Sequence, residues 1–249
     1  MAENSKIAWT DHTYNPWIGC DVVSPACDDC YARELSERYG WAKWGAKEPR
    51  HRTSKATLRA PYKYQKDAKA RGVRLKVFCL SLGDVADNKV PQEWREHLKQ
   101  TVRDTPDLDW LFLSKRPSQY IPLYGREFFE EQKNIWIGCT AENQEEYDRR
   151  RLHLFNVPAK VHFFSVEPML SPVIRDLANE RGKTCWYISG GESGTKRRPF
   201  NLEWAESLRR SCAETGTAFF FKQDSALKPG QQGRASDDLW NTKQFPGVE

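Results

Sequence analysis

The sequence has little of what export or membrane anchoring would need, so neither is expected. Its first residues, MAENSKIAWTDHTYNPW, carry no basic-then-apolar leader. No apolar run approaches the roughly eighteen residues that a membrane helix needs. A soluble, cytoplasmic protein with no membrane partner is therefore expected. Low-complexity stretches and clear linkers are also missing, so one domain is expected over residues 1–249. With 39% hydrophobic and 12% aromatic residues the chain can bury a large core, which excludes disorder.

A fourth clustered cysteine is missing too. Seven cysteines occur, and three of them, Cys20, Cys27 and Cys30, fall within GCDVVSPACDDC at C-x6-C-x2-C spacing. Cys79, Cys139, Cys185 and Cys212 are scattered through apolar or helical stretches, where a thiol serves as a small hydrophobe. In a reducing compartment the clustered three read as ligands or catalysts rather than disulfides. They precede a helix, whose N-terminus favours thiolate charge. A structural zinc site wants four ligands, and only His12 or His51 is at hand for the fourth. Three thiolates alone suit a [4Fe-4S] cluster with one open iron. Zinc and a metal-free loop remain the other readings.

The net charge of +5 is unevenly spread. Residues 43–76 hold twelve Lys or Arg against two acids, Glu48 and Asp67, so this stretch is near +10 and the remainder near −5. Trp41, Trp44, Tyr62 and Tyr64 lie in or beside it. Basic side chains with interleaved aromatics suit phosphate backbones and stacked bases, and a nucleic acid or nucleotide is the expected partner. A solvated basic helix is the plainer reading.

From residue 75 onward, short apolar runs alternate with segments of helical period. The strand candidates are LKVFCLS (75–81), DWLFLS (109–114), NIWIGCT (134–140), KVHFFSV (160–166), CWYISG (185–190) and AFFFK (218–222), with an earlier one near YNPWIG (14–19). Helices are predicted over 91–104, 144–155 and 201–215 and after the cysteines. This order predicts an α/β fold with a parallel sheet covered by helices. Residues 41–73 read as a basic insertion and 225–249 as a polar tail over the surface.

Every candidate strand ends in polar or charged residues, and Glu142, Glu167 and Glu192 follow their strands at 25-residue steps. A parallel barrel assembles its site from such ends, whereas an open doubly wound sheet uses one crevice. A partial TIM-type (β/α) barrel of six to seven parallel strands is therefore expected. Asp84, Glu142, Glu167, Gly190, Gly191 and Glu192 are candidates to hold a cofactor. Lys115, Arg116 and Lys222 are candidates for an anionic substrate. Charges at buried strand ends are costly unless paired, so some of these are expected to be scaffold.

The stretches WTDHTYNPWIGC, CDDCYA, FFSVEPML, ISGGESG and FFFKQ, spread over about residues 5–225, resemble a phage- and prophage-associated radical-SAM-like family of uncharacterised function. Members are often encoded near a three-Cys-motif partner protein. The resemblance implies a partial barrel, a [4Fe-4S] cluster on Cys20, Cys27 and Cys30, and S-adenosylmethionine on the open iron. An electron donor and a co-encoded partner protein are implied as well. The chain departs from the general radical-SAM pattern in having six rather than three residues between the first two cysteines. Asp29, not an aromatic, precedes the last cysteine, and the Gly-Gly-Glu motif falls on a late strand. Asp84 therefore stands beside Glu192 as a candidate for the cofactor's amine.

The expected activity is cleavage of S-adenosylmethionine to a 5′-deoxyadenosyl radical that modifies or repairs a nucleic-acid base or nucleotide. A metal-binding, non-enzymatic protein that binds nucleic acid or a phage partner is the alternative. A hydrolase using two of Glu142, Glu167 and Glu192 is a third reading, and it leaves the cysteines unexplained.

Overall fold

The computed structural model describes residues 5–247. The chain opens with β1 (His12–Tyr14), followed by β2 (Trp17–Ile18) and β3 (His51–Arg52), which pair antiparallel with each other. Six longer strands follow: β4 (Leu75–Cys79), β5 (Leu108–Ser114), β6 (Ile135–Thr140), β7 (Val161–Val166), β8 (Cys185–Gly190) and β9 (Ala218–Gln223). The helices are α1 (Tyr31–Arg38), α2 (Lys55–Arg71), α3 (Gln92–Arg103), α4 (Tyr120–Tyr124), α5 (Arg126–Glu131), α6 (Gln144–Phe155), α7 (Leu177–Glu180), α8 (Leu202–Glu214) and α9 (Asp237–Trp240).

β1 and β4 to β9 form one seven-stranded sheet, parallel throughout and in sequence order. The sheet curls into a half-barrel, with β1 and β9 as its edges. Alternation along each strand sorts side chains to two faces. Trp110, Phe112, Ile135, Ile137, Phe164, Tyr187, Phe219 and Phe221 join the core between sheet and helices. Leu111, Trp136, Phe163, Trp186, Ile188 and Phe220 fill the concave face, with Trp9 and Phe78 against them. Cys79, Cys139, Cys185 and Cys212 all lie in the outer core, where burial pushes each thiol's pKa up.

The helices start and stop where local chemistry requires. Asn143 caps α6 by accepting the Glu146 N–H at 2.8 Å. Tyr147, Arg150 and Leu154, three and four residues apart, face inward on that helix. Gly72 ends α2 and Gly216 follows α8, both at positive φ (62° and 65°).

Three expectations need correcting. The first sheet strand is His12–Tyr14, and the more apolar Trp17–Ile18 leaves the sheet to pair with β3. Part of the expected insertion, Lys55–Arg71, is the crossover helix between β1 and β4, packing Tyr64 and Ala68 against the sheet. The tail does more than lie over the surface. Phe221 N–H donates to Thr242 O (2.9 Å) and Gln244 N–H to Phe219 O (3.0 Å), so residues 242–244 pair along the exposed edge of β9. Phe245 then packs on Trp186 and Phe220. Among the described residues no helix is long and apolar enough to cross a membrane.

Gly138 in the middle of β6 is needed for the concave packing. A Cβ there would lie 2.3 Å from the Phe163 ring. Gly138→Ala should therefore cost about 2 kcal/mol or more by overpacking, read as a lower denaturant midpoint. A variant as stable as the parent would mean that Phe163 is not seated over β6.

Candidate functional site

The concave face is apolar at its base and turns polar toward the C-terminal ends of the strands. There a cavity of about 220 Å³ opens. Cys20, Cys27 and Cys30 all line it, together with Asp84, Lys115, Glu167, Gly191, Glu192 and Lys222. Residues far apart in sequence are thus collected at one mouth, as strand-end geometry requires. Glu142, Arg116 and Gly190 are not in its wall.

The loop from Cys20 to Cys30 covers this mouth. Cys20 and Cys27 are buried and Cys30 is half-buried at the N-terminus of α1. Three carboxylates from three strand ends hold the loop down. Glu142, just past β6, is fully buried; it accepts the Ala26 N–H at 3.2 Å and pairs with Arg150 at 2.8 Å. Asp84, past β4, pairs with Arg116 at 3.0 Å, and Arg116 donates to Cys20 Sγ at 3.7 Å and to Asp21 O at 3.4 Å. Ser114 Oγ also donates to Asp84, at 2.6 Å. Glu192, past β8, pairs with Arg198, whose guanidinium reaches back to Pro25 O (3.1 Å) and Asp28 (3.4 Å).

The electrostatics follow this pairing. Burial would raise the Glu142 carboxyl, but Arg150, the nearby Ser24 hydroxyl and the Ala26 N–H together hold it below its ordinary pKa of 4.5. Burial and then Asp84 push the Cys20 thiol up to about 12, against the pull of Arg116. Lys115 is different. Burial opposes its charge, yet Cys27, Cys30, Glu142 and Cys20 raise its pKa above 10.5. Its side chain lines the same cavity as the three thiols, and among the described residues no carboxylate forms an ion pair with it. Glu167 and Lys222 form an ion pair in the lining of the same cavity. The Trp44 indole N–H, buried at the cavity, has no partner.

These positions sort the sequence candidates. Glu167, Lys222 and Lys115 line the cavity, the first two as an ion pair. Asp84, Glu142 and Glu192 are committed to arginines and hold the cysteine loop, Glu142 directly and the other two through Arg116 and Arg198. Gly191 is required by the chain itself, since a Cβ there would lie 2.6 Å from Ser225 N. Gly190 similarly abuts Gln223. The hydrolase reading loses its free carboxylate pair, because Glu142, Glu167 and Glu192 are each matched to a cation. His12 stacks on Tyr64 at 3.9 Å on the outer face and His51 lies in exposed β3, so neither lines the cysteine cavity.

Sequence reasoning missed Arg150 and Arg198. Arg150 was legible only in part: within the RRR run both Arg150 and Arg151 keep step with Tyr147 and Leu154, and it is Arg150 that the fold buries. Arg198 had no signal beyond a basic triplet after the eighth strand.

Cys20, Cys27 and Cys30, the Lys115 side chain and the partnerless Trp44 indole N–H line one cavity. Among the described residues, no three His, Cys, Asp or Glu side chains are drawn together into a ready metal centre. Fold and site together define a parallel α/β half-barrel with a three-thiol, ligand-sized cavity over its C-terminal mouth. The chain belongs to the family described as protein of unknown function (DUF5131), which it matches over residues 4–244. Comparison with curated proteins and with solved structures gives no match.

The Glu142 clamp generates an acid-sensitivity prediction. Its carboxyl titrates lower in the folded chain than in the unfolded one. Its contribution is therefore whole above about pH 4.5 and is lost as pH falls through the depressed folded pKa. Glu142→Gln should lower stability at pH 7 by about 2 kcal/mol, since it removes one of the two carboxylates on buried Arg150 and the charge that accepts the Ala26 N–H. The gap to the parent should narrow below pH 4.5, in denaturant titrations at pH 7 and pH 4. A gap independent of pH would mean that the carboxylate charge does not hold the loop.

Proposed function

We propose that this protein is a radical-SAM-like iron–sulfur enzyme of a TIM-related partial-barrel type. In this reading Cys20, Cys27 and Cys30 ligate a [4Fe-4S] cluster whose open iron takes S-adenosylmethionine. The observation that carries the reading is the gathering of the three thiols and the uncommitted Lys115 ammonium on one cavity. Bound there, the cluster would supply the electron that cleaves S-adenosylmethionine.

The chain's own residues have separable tasks. Lys115 offsets the negative charge of three thiolates. Arg116 and Arg198, oriented by Asp84 and Glu192, together with Glu142, keep the cysteine loop over the mouth. The Glu167–Lys222 pair presents one carboxylate and one ammonium, which complements the zwitterionic end of an amino-acid-bearing cofactor. The apolar base of Trp136, Phe163 and Trp186 excludes water from below. A phage setting, a co-encoded partner protein and a nucleotide or nucleic-acid substrate belong to the same proposal.

A second reading has its own support. The exposed cations Lys55, Arg59, Lys66 and Lys69 lie on α2, outside the half-barrel and away from the cavity. A protein that holds zinc or a structural cluster and binds nucleic acid along that helix would use them without chemistry.

The deciding experiment is anaerobic reconstitution with iron and sulfide, followed by EPR of the reduced protein with and without S-adenosylmethionine. The expected result is about four irons per chain and a signal that shifts on adding the cofactor. Cys27→Ala should abolish the signal while leaving the fold intact by circular dichroism. A cluster signal indifferent to S-adenosylmethionine, or zinc in place of iron, would overturn the enzymatic reading in favour of the second.

A further inference from the structure

We propose that a second cavity, beside the cysteine cavity and lined by Lys115, Arg116, Arg149, Arg150 and His153, binds the phosphate of a nucleotide-type substrate. It has a volume of about 240 Å³, and no carboxylate lines it. Its remaining polar lining, Asn88, Ser118 and Gln119, offers neutral donors.

The acids that pair with these cations are outside the cavity's lining. Asp84 holds Arg116, Glu146 holds Arg149, and Glu142 and Glu146 hold Arg150. Each guanidinium is thereby oriented, and the cavity itself is left cationic. Arg150 is 2% exposed, and its Nε–H is buried with no acceptor. A buried guanidinium N–H without a partner is costly, and an anion would satisfy it. Several cations and neutral donors around one space suit a tetrahedral anion with several oxygens, and guanidinium matches phosphate geometry in particular.

The cavity adjoins the cysteine cavity at two shared wall residues, Val23 and Lys115. A phosphate seated here leaves its attached nucleoside room in the neighbouring cavity, whose wall includes Tyr31, Trp44 and Phe78. The anion site stands on its own geometry. Only the identity of the substrate rests on the function proposed above.

The test is calorimetric titration of the iron-free, full-length chain with inorganic phosphate, a deoxynucleoside 5′-monophosphate and a short single-stranded oligodeoxynucleotide. Acetate serves as competitor. The comparison is the Arg149→Gln/His153→Gln double variant, which alters two exposed residues and should melt as the parent does. We expect the parent to bind phosphate and the mononucleotide, acetate to compete poorly, and the variant to bind about tenfold more weakly, the scale of a lost charge-assisted contact. A parallel loss for the oligonucleotide would assign the phosphate to a polymer backbone. A loss for the mononucleotide alone would assign it to a free nucleotide. Absence of phosphate binding by the parent, unchanged affinity in the variant, or equal competition by acetate would overturn the site. Because iron is absent, phosphate binding without a cluster on reconstitution would sink only the catalytic reading, and a cluster without phosphate binding would sink only this one.

Discussion

A carboxylate cut off from water keeps its charge only if cations and N–H groups replace the water. Glu142 is in that position, and its replacements come from two directions: Arg150 on α6 and the Ala26 amide in the cysteine loop. The charge therefore joins the outer helical layer, the end of β6 and the loop over the mouth. Asp84 and Glu192 repeat the arrangement with an arginine interposed. The carboxylates following β4, β6 and β8 thus fasten the loop. The residues at the ends of β5, β7 and β9, namely Lys115, Glu167 and Lys222, are left to face what the loop encloses.

This division explains which parts of the molecule were legible in the sequence. The interior strands are buried on both faces, so their sequences are continuous apolar runs that no helix of that length would carry. The first strand misled because it is an edge strand of three residues, His12–Tyr14, and the stronger apolar signal at Trp17–Ile18 belongs to a separate pair. The basic stretch misled for a different reason. A crossover helix needs only a narrow buried stripe, here Pro61, Tyr64 and Ala68, and the cations around it masked that stripe.

At the site, the residue types were legible and the partnerships were not. Strand ends of a parallel half-barrel meet at one mouth, so Cys20, Asp84, Lys115, Glu167 and Lys222 could be grouped without coordinates. Whether a strand-end carboxylate faces a ligand or a buried arginine depends on side chains contributed from elsewhere in the chain. Arg198 answers Glu192 across a local turn and then crosses to Pro25 and Asp28, a connection with no local trace in the sequence.

The fastening of the loop has a consequence for how the protein matures. Its contacts join residues 116 positions apart at Glu142 and 173 apart at Arg198. Contacts of such separation form late, after the intervening chain has closed. The three thiols are translated early, but the contacts that hold their loop over the cavity wait for residues 142 and 198. A nascent chain would therefore carry them as separate, loosely held groups. Any metal that requires all three would enter a finished half-barrel rather than guide its assembly.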